Sequence, residues 1–337
     1  MMNMTNWFSQ MIASKTKKAM PVLSFPSIQL LNISVVELIS DSKNQANGMK
    51  LIAEKVNSAA SLSMMDLSVE AECFGSNIKF SKDEVPTVIG GIVATKKEAE
   101  ELIVPKVGSG RTGIYIDAIK LALDLIKDRP VFAGVIGPFS LAGRLMDVSE
   151  AMIYCYDDPE MVHTLLEKVT EFIIEYCKAY KAIGANGVVM AEPLAGLLSP
   201  ALAEEFSSVY VKKIVERVKD DHFAVVYHNC GGATIHMIDS ILGTNCSAYH
   251  FGDAIDMRQM MPHIPPDVVA MGNISPAKQF RNGTVESISE ETLNLLKDCS
   301  KYPNFVISSG CDIPPLSKWE NIEAFFNTVD KFYKEML

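Results

Sequence analysis

The chain has 337 residues, of which 48% are hydrophobic, and its formal net charge at pH 7 is −10. A chain of this size can bury a large core, and α/β barrels of this length commonly form one domain. Basic residues do not cluster among aromatic ones, so we expect no nucleic-acid partner. The apolar runs are too short to cross a membrane, and no signal-peptide pattern is seen, which favours a cytoplasmic location.

Residues 1–19 are predicted to form a helical extension in front of the main domain, which covers residues 20–337. Trp7, Phe8 and Ile12 recur at helical spacing before a basic stretch. The segment lacks the continuous apolar run of a secretory signal. We therefore expect a helix that covers one end of the main domain.

Strand-like and helical segments alternate through the rest of the chain. The predicted strands cover residues 20–25, 62–69, 131–136, 187–191, 224–227, 247–251, 267–271 and 305–308, with a separate hairpin at 78–80 and 87–89. This alternation predicts an α/β fold, a single (β/α)8 TIM barrel with the N-terminal helical extension.

A glycine-rich stretch, Gly108 to Gly113, precedes one of the predicted helices. It does not directly follow a strand, and it lacks the Lys-Ser/Thr ending of a phosphate-binding loop. We interpret it as a turn.

Polar residues cluster just after the predicted strands, where (β/α)8 barrels build their active sites. The residues concerned are Glu72, Glu192, His228, Cys230, Asn273 and Cys311. His250 also falls at a strand end, and the remaining histidines have no evident partner. This distribution places the candidate site at the carboxyl ends of the strands.

His228 and Cys230 are two residues apart and would share one face if the strand continued through them, while Cys311 follows the last strand. One imidazole and two thiols form a three-ligand zinc pattern with an open fourth position. Two thiolates balance the charge of Zn²⁺, so a further thiolate bound there would stay electron-rich and nucleophilic. The pattern predicts activation of a thiol for alkyl transfer, with water, Glu72 or Glu192 in the fourth position at rest.

Two simpler interpretations compete with a catalytic zinc site. His228 and Cys230 could be a core histidine and a buried thiol that merely adjoin, or Cys246 could complete a closed structural site. Seven cysteines without a secretory signal argue against a disulfide framework. Four of the cysteines lie in apolar or helical settings and are expected to be buried hydrophobes: Cys73, Cys155, Cys177 and Cys299.

Several stretches resemble the uroporphyrinogen decarboxylase superfamily over nearly the whole chain. They are Gly137 to Ala142, Glu192 to Pro200, Gly272 to Pro276, and Gly310 to Pro315. The resemblance implies a (β/α)8 barrel with its site at the carboxyl-terminal mouth.

The chain must be placed between two branches of that superfamily. Asp66 falls where the decarboxylases carry their aspartate, but the segment after residue 25 lacks their arginine-rich loop. His228, Cys230 and Cys311 match the corrinoid-dependent methyltransferases instead, and Glu72 falls on the glutamate of that branch. The resemblance therefore favours methyl transfer, with a decarboxylase of a porphyrin-type acid using Asp66 as the alternative.

The resemblance implies zinc at the three matched ligands and a methylcorrinoid supplied by a separate corrinoid protein that docks over the mouth. Glu72 would exchange with substrate and Glu192 would line the mouth, while Asn273, Tyr227 and His250 would contact the cofactor. The expected acceptor is a small thiol such as coenzyme M or homocysteine, or else tetrahydrofolate. A non-catalytic corrinoid- or porphyrin-binding protein is a third alternative. The candidate cations for an anionic acceptor are Arg111, Arg144 and Arg258.

Overall fold

The computed structural model describes residues 2–336 and confirms an α/β fold around one parallel sheet. Within those residues the strands are β1 (Ser61–Leu62), β2 (Asn77–Lys79), β3 (Thr87–Ile89), β4 (Val131–Ile136), β5 (Gly187–Ala191), β6 (Ala224–Asn229), β7 (Ala248–Phe251), β8 (Val269–Ile274) and β9 (Phe305–Ser309). The parallel sheet has the order β1-β4-β5-β6-β7-β8-β9, and β2 and β3 form the predicted antiparallel hairpin.

Helices surround the sheet and fill the connections between its strands. They are α1 (Met4–Ala13), α2 (Ser27–Leu31), α3 (Val35–Ile39), α4 (Ser42–Lys55), α5 (Val69–Cys73), α6 (Lys96–Glu101), α7 (Arg111–Leu125), α8 (Pro138–Met146), α9 (Val148–Asp157), α10 (Pro159–Ala182), α11 (Pro200–Ala203), α12 (Val209–Val218), α13 (Ile238–Leu242), α14 (Met257–Met260), α15 (Val285–Cys299) and α16 (Trp319–Glu335). None of these helices combines the length and apolarity needed to cross a bilayer.

The segment around Pro21 completes the barrel without forming the predicted first strand. The amide of Met20 donates to the carbonyl of Ile307 on β9 (3.0 Å), and the carbonyl of Ala19 accepts from Ala59 beside β1 (2.8 Å). The segment thus bridges the two edge strands. The predicted strand is wrong here because proline has no N–H to sustain a strand ladder.

The second predicted strand is shorter than expected and ends at Leu62. An oxygen of Asp66 accepts from the amide of Ser68 (3.1 Å), and this side-chain bond turns the backbone. The chain then enters α5. By contrast, β4 and β5 have the predicted bounds, because continuous β-branched and apolar runs suit buried parallel strands.

Inward-facing side chains form the barrel core, and α1 forms its floor. Phe132, Val226 and Val306 are buried in this interior cluster, and Phe8 of α1 packs into it. The ring of Trp7 lies 6.2 Å from that of Phe132. The predicted N-terminal helix is therefore confirmed, and it closes the barrel at the end opposite the carboxyl ends of the strands.

The glycine-rich stretch forms the turn before α7. Gly108 and Gly110 adopt φ values of 94° and 56°, which residues other than glycine rarely adopt. The interpretation of this stretch as a turn is confirmed.

Candidate active site at the carboxyl ends of the strands

Strand β6 directs His228 towards the barrel interior, because alternate residues of a strand face opposite sides of a sheet. Val226 packs in the interior, whereas Tyr227 packs in the layer between the sheet and the helices. His228 lies two residues after Val226, so its side chain points to the same interior side, and it is 2% exposed. Tyr227, expected to contact a cofactor, instead faces outwards, with its ring 6.3 Å from that of Tyr249.

The loop after β6 is fixed on both sides of Cys230. The side-chain oxygen of Asn229 accepts from the amide of Gly231 (2.9 Å) and the hydroxyl of Thr234 (3.0 Å). Gly231 also lies against Gly196: a Cβ added to Gly231 would lie 2.6 Å from the backbone of Gly196. Cys230 is thus held at the carboxyl end of the strand.

The thiols of Cys230 and Cys311 lie next to each other after β6 and β9. Hydrogen bonding with Cys311 lowers the pKa of the Cys230 thiol, and His228 lowers it further against the opposing effect of burial. The same hydrogen bond, together with burial, raises the pKa of Cys311 well above its ordinary value. The pair therefore loses one proton readily and the second with difficulty.

We call His228, Cys230 and Cys311 the thiol cluster. Within residues 2–336, no group of three or more His, Cys, Asp or Glu side chains is arranged closely enough to hold a metal ion. Cys230 nevertheless interacts with both other members. Nε2 of His228 is buried and has no hydrogen-bond partner among the described residues. A buried imidazole nitrogen without a partner, beside two thiols, is a donor set that fits zinc.

The other ring nitrogen of His228 belongs to a hydrogen-bond chain. Its Nδ1 lies 2.7 Å from Nδ1 of His250, its register partner on β7. Nε2 of His250 lies 2.7 Å from the hydroxyl of Ser308, which donates to the carbonyl of Met20 (2.8 Å). Burial lowers the pKa of His250 well below its ordinary value, so the ring is neutral at neutral pH. His250 therefore lies behind His228 rather than at the mouth.

Asp66 and Glu72 belong to a second group, which we call the arginine cluster and which also contains Ser68, Arg111 and Tyr115. Nε of Arg111 donates to Glu72 (2.5 Å), and its Nη1 donates to Asp66. Its Nη2 donates to the hydroxyl of Ser68 (2.8 Å), and the hydroxyl of Tyr115 donates to Asp66 (2.8 Å). The structure therefore pairs both predicted catalytic acids with the guanidinium of Arg111.

Glu192, expected to line the mouth, binds the backbone instead. Its carboxylate is fully buried and accepts from the amides of Phe139 (2.8 Å) and Ser140 (3.0 Å). It also accepts from the hydroxyl of Ser207 (2.8 Å). These amides belong to the first turn of α8, whose unpaired N–H groups favour a carboxylate. Glu192 thus anchors that helix and is not available to exchange at a metal.

Asn273 fastens the loop after β7. Its side-chain amide donates to the carbonyls of Gly252 (2.7 Å) and Ile255 (2.6 Å). The residue also lines a cleft of about 480 Å³ together with Asp253. Its visible role is to position this loop, which reaches the thiol cluster.

Sequence reasoning missed two carboxylates next to the thiols. Asp253 is exposed, and its charge raises the pKa of Cys230; an added Cβ at Gly310 would lie 2.9 Å from its Oδ1. Asp312 accepts from the amide of Met65 (2.9 Å), and burial raises its pKa to about 8. Each directly follows a glycine or cysteine at a strand end, which is the feature that could have identified them.

The three candidate arginines differ in their partners. Arg111 lies in the arginine cluster, and Arg258 pairs with Asp256 on the surface (2.7 Å). Burial lowers the pKa of Arg144 on α8, and within the described chain no ion pair involves it. Arg144 is therefore the candidate whose charge is not already matched by an acid.

A barrel with imidazole, thiol and carboxylate groups gathered at the carboxyl ends of its strands defines a (β/α)8 protein with a polar site at its mouth. The sequence matches the family described as uroporphyrinogen decarboxylase (URO-D) over residues 17–332. The chain belongs to this family.

Relatives from both branches are found. The methylcobamide:CoM methyltransferase MtbA of Methanosarcina acetivorans is 27% identical over 265 residues, covering 77% of this chain and 75% of that protein. The uroporphyrinogen decarboxylase of Coxiella burnetii is 26% identical over 284 residues, covering 81% and 77%.

Solved structures share the fold. A methyltransferase from Methanosarcina mazei has a TM-score of 0.86 at 22% identity, covering 99% of this chain and 100% of that chain. A B12-independent methionine synthase from Shewanella has a TM-score of 0.65 at 12% identity, covering 95% and 96%. At these identities the likeness establishes the barrel and leaves the chemistry to the site.

Proposed function

We propose that the protein is a methyltransferase that moves a methyl group from a corrinoid carried by a partner protein to a zinc-activated thiol. The observation that carries this proposal is the buried Nε2 of His228, which lacks a partner among residues 2–336, beside the interacting thiols of Cys230 and Cys311. Similarity to the methylcobamide:CoM methyltransferase MtbA supports the direction of the chemistry.

His228, Cys230 and Cys311 would hold the zinc. Their donor set, two thiolates and one neutral imidazole, balances the charge of the ion and leaves a fourth position for substrate. When bound, zinc would lower the pKa of a thiol substrate so that its thiolate forms at neutral pH. The lowered pKa of Cys230 favours loading, since protein ligands must lose their protons to bind the ion.

The carboxylate best placed to exchange with substrate is Asp253 rather than Glu72. Glu72 would first have to leave Arg111, whereas Asp253 is exposed and acts directly on Cys230. A carboxylate that yields to a thiolate conserves the charge of the site. Asp253→Asn is therefore the variant in which to look for altered thiol binding.

The acceptor in this proposal is a small thiol, and the name of the MtbA relative makes coenzyme M the first to test. Homocysteine and tetrahydrofolate follow. The corrinoid protein would dock over the carboxyl ends of the strands, because the thiol cluster lies there.

A second candidate is decarboxylation of a porphyrin-type acid, which the buried Asp66 and the Coxiella burnetii relative favour. In the structure Asp66 already bonds to Arg111, Ser68 and Tyr115, so a substrate would have to displace one of these groups. The first candidate requires no such displacement.

The test is the zinc-to-chain ratio of protein purified without chelator, followed by demethylation of methylcobalamin in the presence of each acceptor. We expect about one zinc per chain, by the three-ligand chemistry of the site, and thiol-dependent demethylation. A metal-free protein that decarboxylates uroporphyrinogen would overturn the proposal in favour of the second candidate. Corrinoid binding without turnover would indicate a non-catalytic binding protein.

A further inference from the structure

The nitrogen of His228 that faces away from the thiols starts a hydrogen-bond chain across the barrel. We call this chain the imidazole relay; it consists of His228, His250, Ser308 and the carbonyl of Met20. It connects β6 through β7 and β9 to the segment that completes the barrel. All three side chains are buried, so water does not compete for these bonds.

The carbonyl of Met20, at the end of the relay, determines which atom donates in each of its hydrogen bonds. A carbonyl oxygen can only accept, so the single hydroxyl proton of Ser308 goes to Met20. Nε2 of His250 must then donate to that hydroxyl. A neutral imidazole carries one N–H, which makes Nδ1 of His250 the acceptor. Nδ1 of His228 therefore carries the shared proton, which leaves its Nε2 as the ring atom available to bind a metal.

We infer that His250 and Ser308 are positioning residues that fix the tautomer and ring orientation of His228, so that its Nε2 faces the thiols ready to bind zinc. The inference rests on the proposed zinc site. It gives a role to His250 and Ser308, two buried polar residues that would not contact the metal themselves. Partners of this kind orient metal-binding histidines, and their loss typically weakens metal affinity about 10–100-fold.

The opposite proton arrangement shows what the relay prevents. Without an acceptor for its Nε2 proton, His250 can carry the proton on Nδ1 instead. Nδ1 of His250 would then donate its proton to Nδ1 of His228. The proton of His228 would move to Nε2. That proton would occupy the atom that binds zinc.

The chain offers a matched control in Ser309, the next residue on β9. Its hydroxyl is equally buried and accepts from the amide of Val22 (3.0 Å) in the same segment that Ser308 contacts. It belongs to a separate bond and not to the relay. Ser308→Ala and Ser309→Ala therefore remove the same group from neighbouring sites, and only the first cuts the relay.

The experiment uses full-length protein with ¹⁵N-labelled histidine, stripped of metal. Nitrogen chemical shifts of His228 report the tautomer, and competition with a chromophoric chelator reports zinc affinity. We expect Nδ1–H in the wild type, loss of that preference in Ser308→Ala with zinc binding about 10–100-fold weaker, and near wild-type behaviour in Ser309→Ala and Ser308→Thr. Melting temperatures of all variants check folding.

The outcomes separate this inference from the proposed function. If the wild type binds zinc and Ser308→Ala keeps both its tautomer and its affinity, the relay has no positioning role. If the wild type binds no zinc, the proposed function fails, and the metal-free spectra still decide the tautomer. Equal weakening in Ser308→Ala and Ser309→Ala would show a general packing effect and would overturn the inference.

Discussion

The thiol cluster and the arginine cluster show two treatments of buried polar groups in one barrel. In the arginine cluster, Arg111 bonds to two carboxylates and a hydroxyl, so positive and negative charges lie in contact. In the thiol cluster, one imidazole nitrogen has no partner within the described chain, and two thiols compete for a proton. A closed network stabilises the fold, whereas an open one retains capacity for a ligand.

The largest expected effect comes from breaking the thiol cluster. Cys311→Ser should abolish stoichiometric zinc binding and methyl transfer together, because the site loses one of its two thiolates. Metal analysis and methylcobalamin demethylation measure the two losses. Cys73→Ser is the control: it alters another half-buried thiol, one that donates to the carbonyl of Ser109 (3.6 Å). A Cys311→Ser protein that retains zinc and activity would contradict the assignment.

Breaking the arginine cluster should affect stability rather than chemistry. Arg111→Met leaves Asp66 as an unpaired buried charge, and removal of one partner of such a pair costs about 3–5 kcal/mol in the free energy of unfolding. Urea denaturation measures the loss. Arg258→Met removes a surface pair with Asp256 and should change stability by less than about 1 kcal/mol. If zinc per folded chain also fell in Arg111→Met, the two clusters would not be independent.

The buried carboxyl group of Glu70, beside the arginine cluster, should make the stability of the protein depend on pH. Burial raises the pKa of Glu70 from its ordinary value of 4.5 to about 7, and its Oε2 has no partner in the part of the chain that is described. The folded protein therefore holds this proton more tightly than the unfolded chain. Stability should fall as pH rises from about 4.5 to about 7, by about 3 kcal/mol from this group alone.

Glu70→Gln should remove that part of the pH dependence. Urea midpoints at pH 5 and pH 8 measure it, and the difference between the variant and the wild type isolates Glu70 from Asp312, whose raised pKa acts with the same sign. The exposed Glu290→Gln serves as control. Parallel pH profiles for wild type and Glu70→Gln would show that the carboxyl is solvated.

The smallest expected effect is stabilisation of the thiol cluster by its ligand. Under the proposed function, zinc at a hundred times its dissociation constant should stabilise the folded protein by up to about 2.7 kcal/mol, because its three ligands come together only in the folded state. Thermal unfolding with and without zinc, under reducing conditions, measures this shift. Cys230→Ser should show no shift, and an equal shift in both proteins would place the metal elsewhere.

The barrel could be predicted from sequence because its strands are continuous apolar runs with helices between them. The failures have local causes. Pro21 interrupts a strand-like run, and Asp66 turns the chain with its own side chain. The alternation of side chains along a strand implies that Tyr227 and His228 face opposite ways, which argues against the expected contact of Tyr227 with the cofactor.

The site was harder to predict because its partners are set by register and distance in space. His228 and Cys230 are close in sequence, but their neighbours come from other strands. His250 meets His228 only through the pairing of β6 with β7. Glu72 of α5 forms an ion pair with Arg111 of α7, and no local sequence pattern predicts this contact.

The floor formed by α1 has a consequence for kinetics. Trp7 and Phe8 pack against the interior core at the end of the barrel opposite the thiol cluster. Under the proposed function, acceptor and methyl donor therefore both reach the thiol cluster through the entrance at the carboxyl ends of the strands. A corrinoid protein is far larger than a small thiol and would cover that entrance once docked. Under the proposed function, the acceptor must therefore bind first, and steady-state kinetics should show a compulsory order of substrate addition.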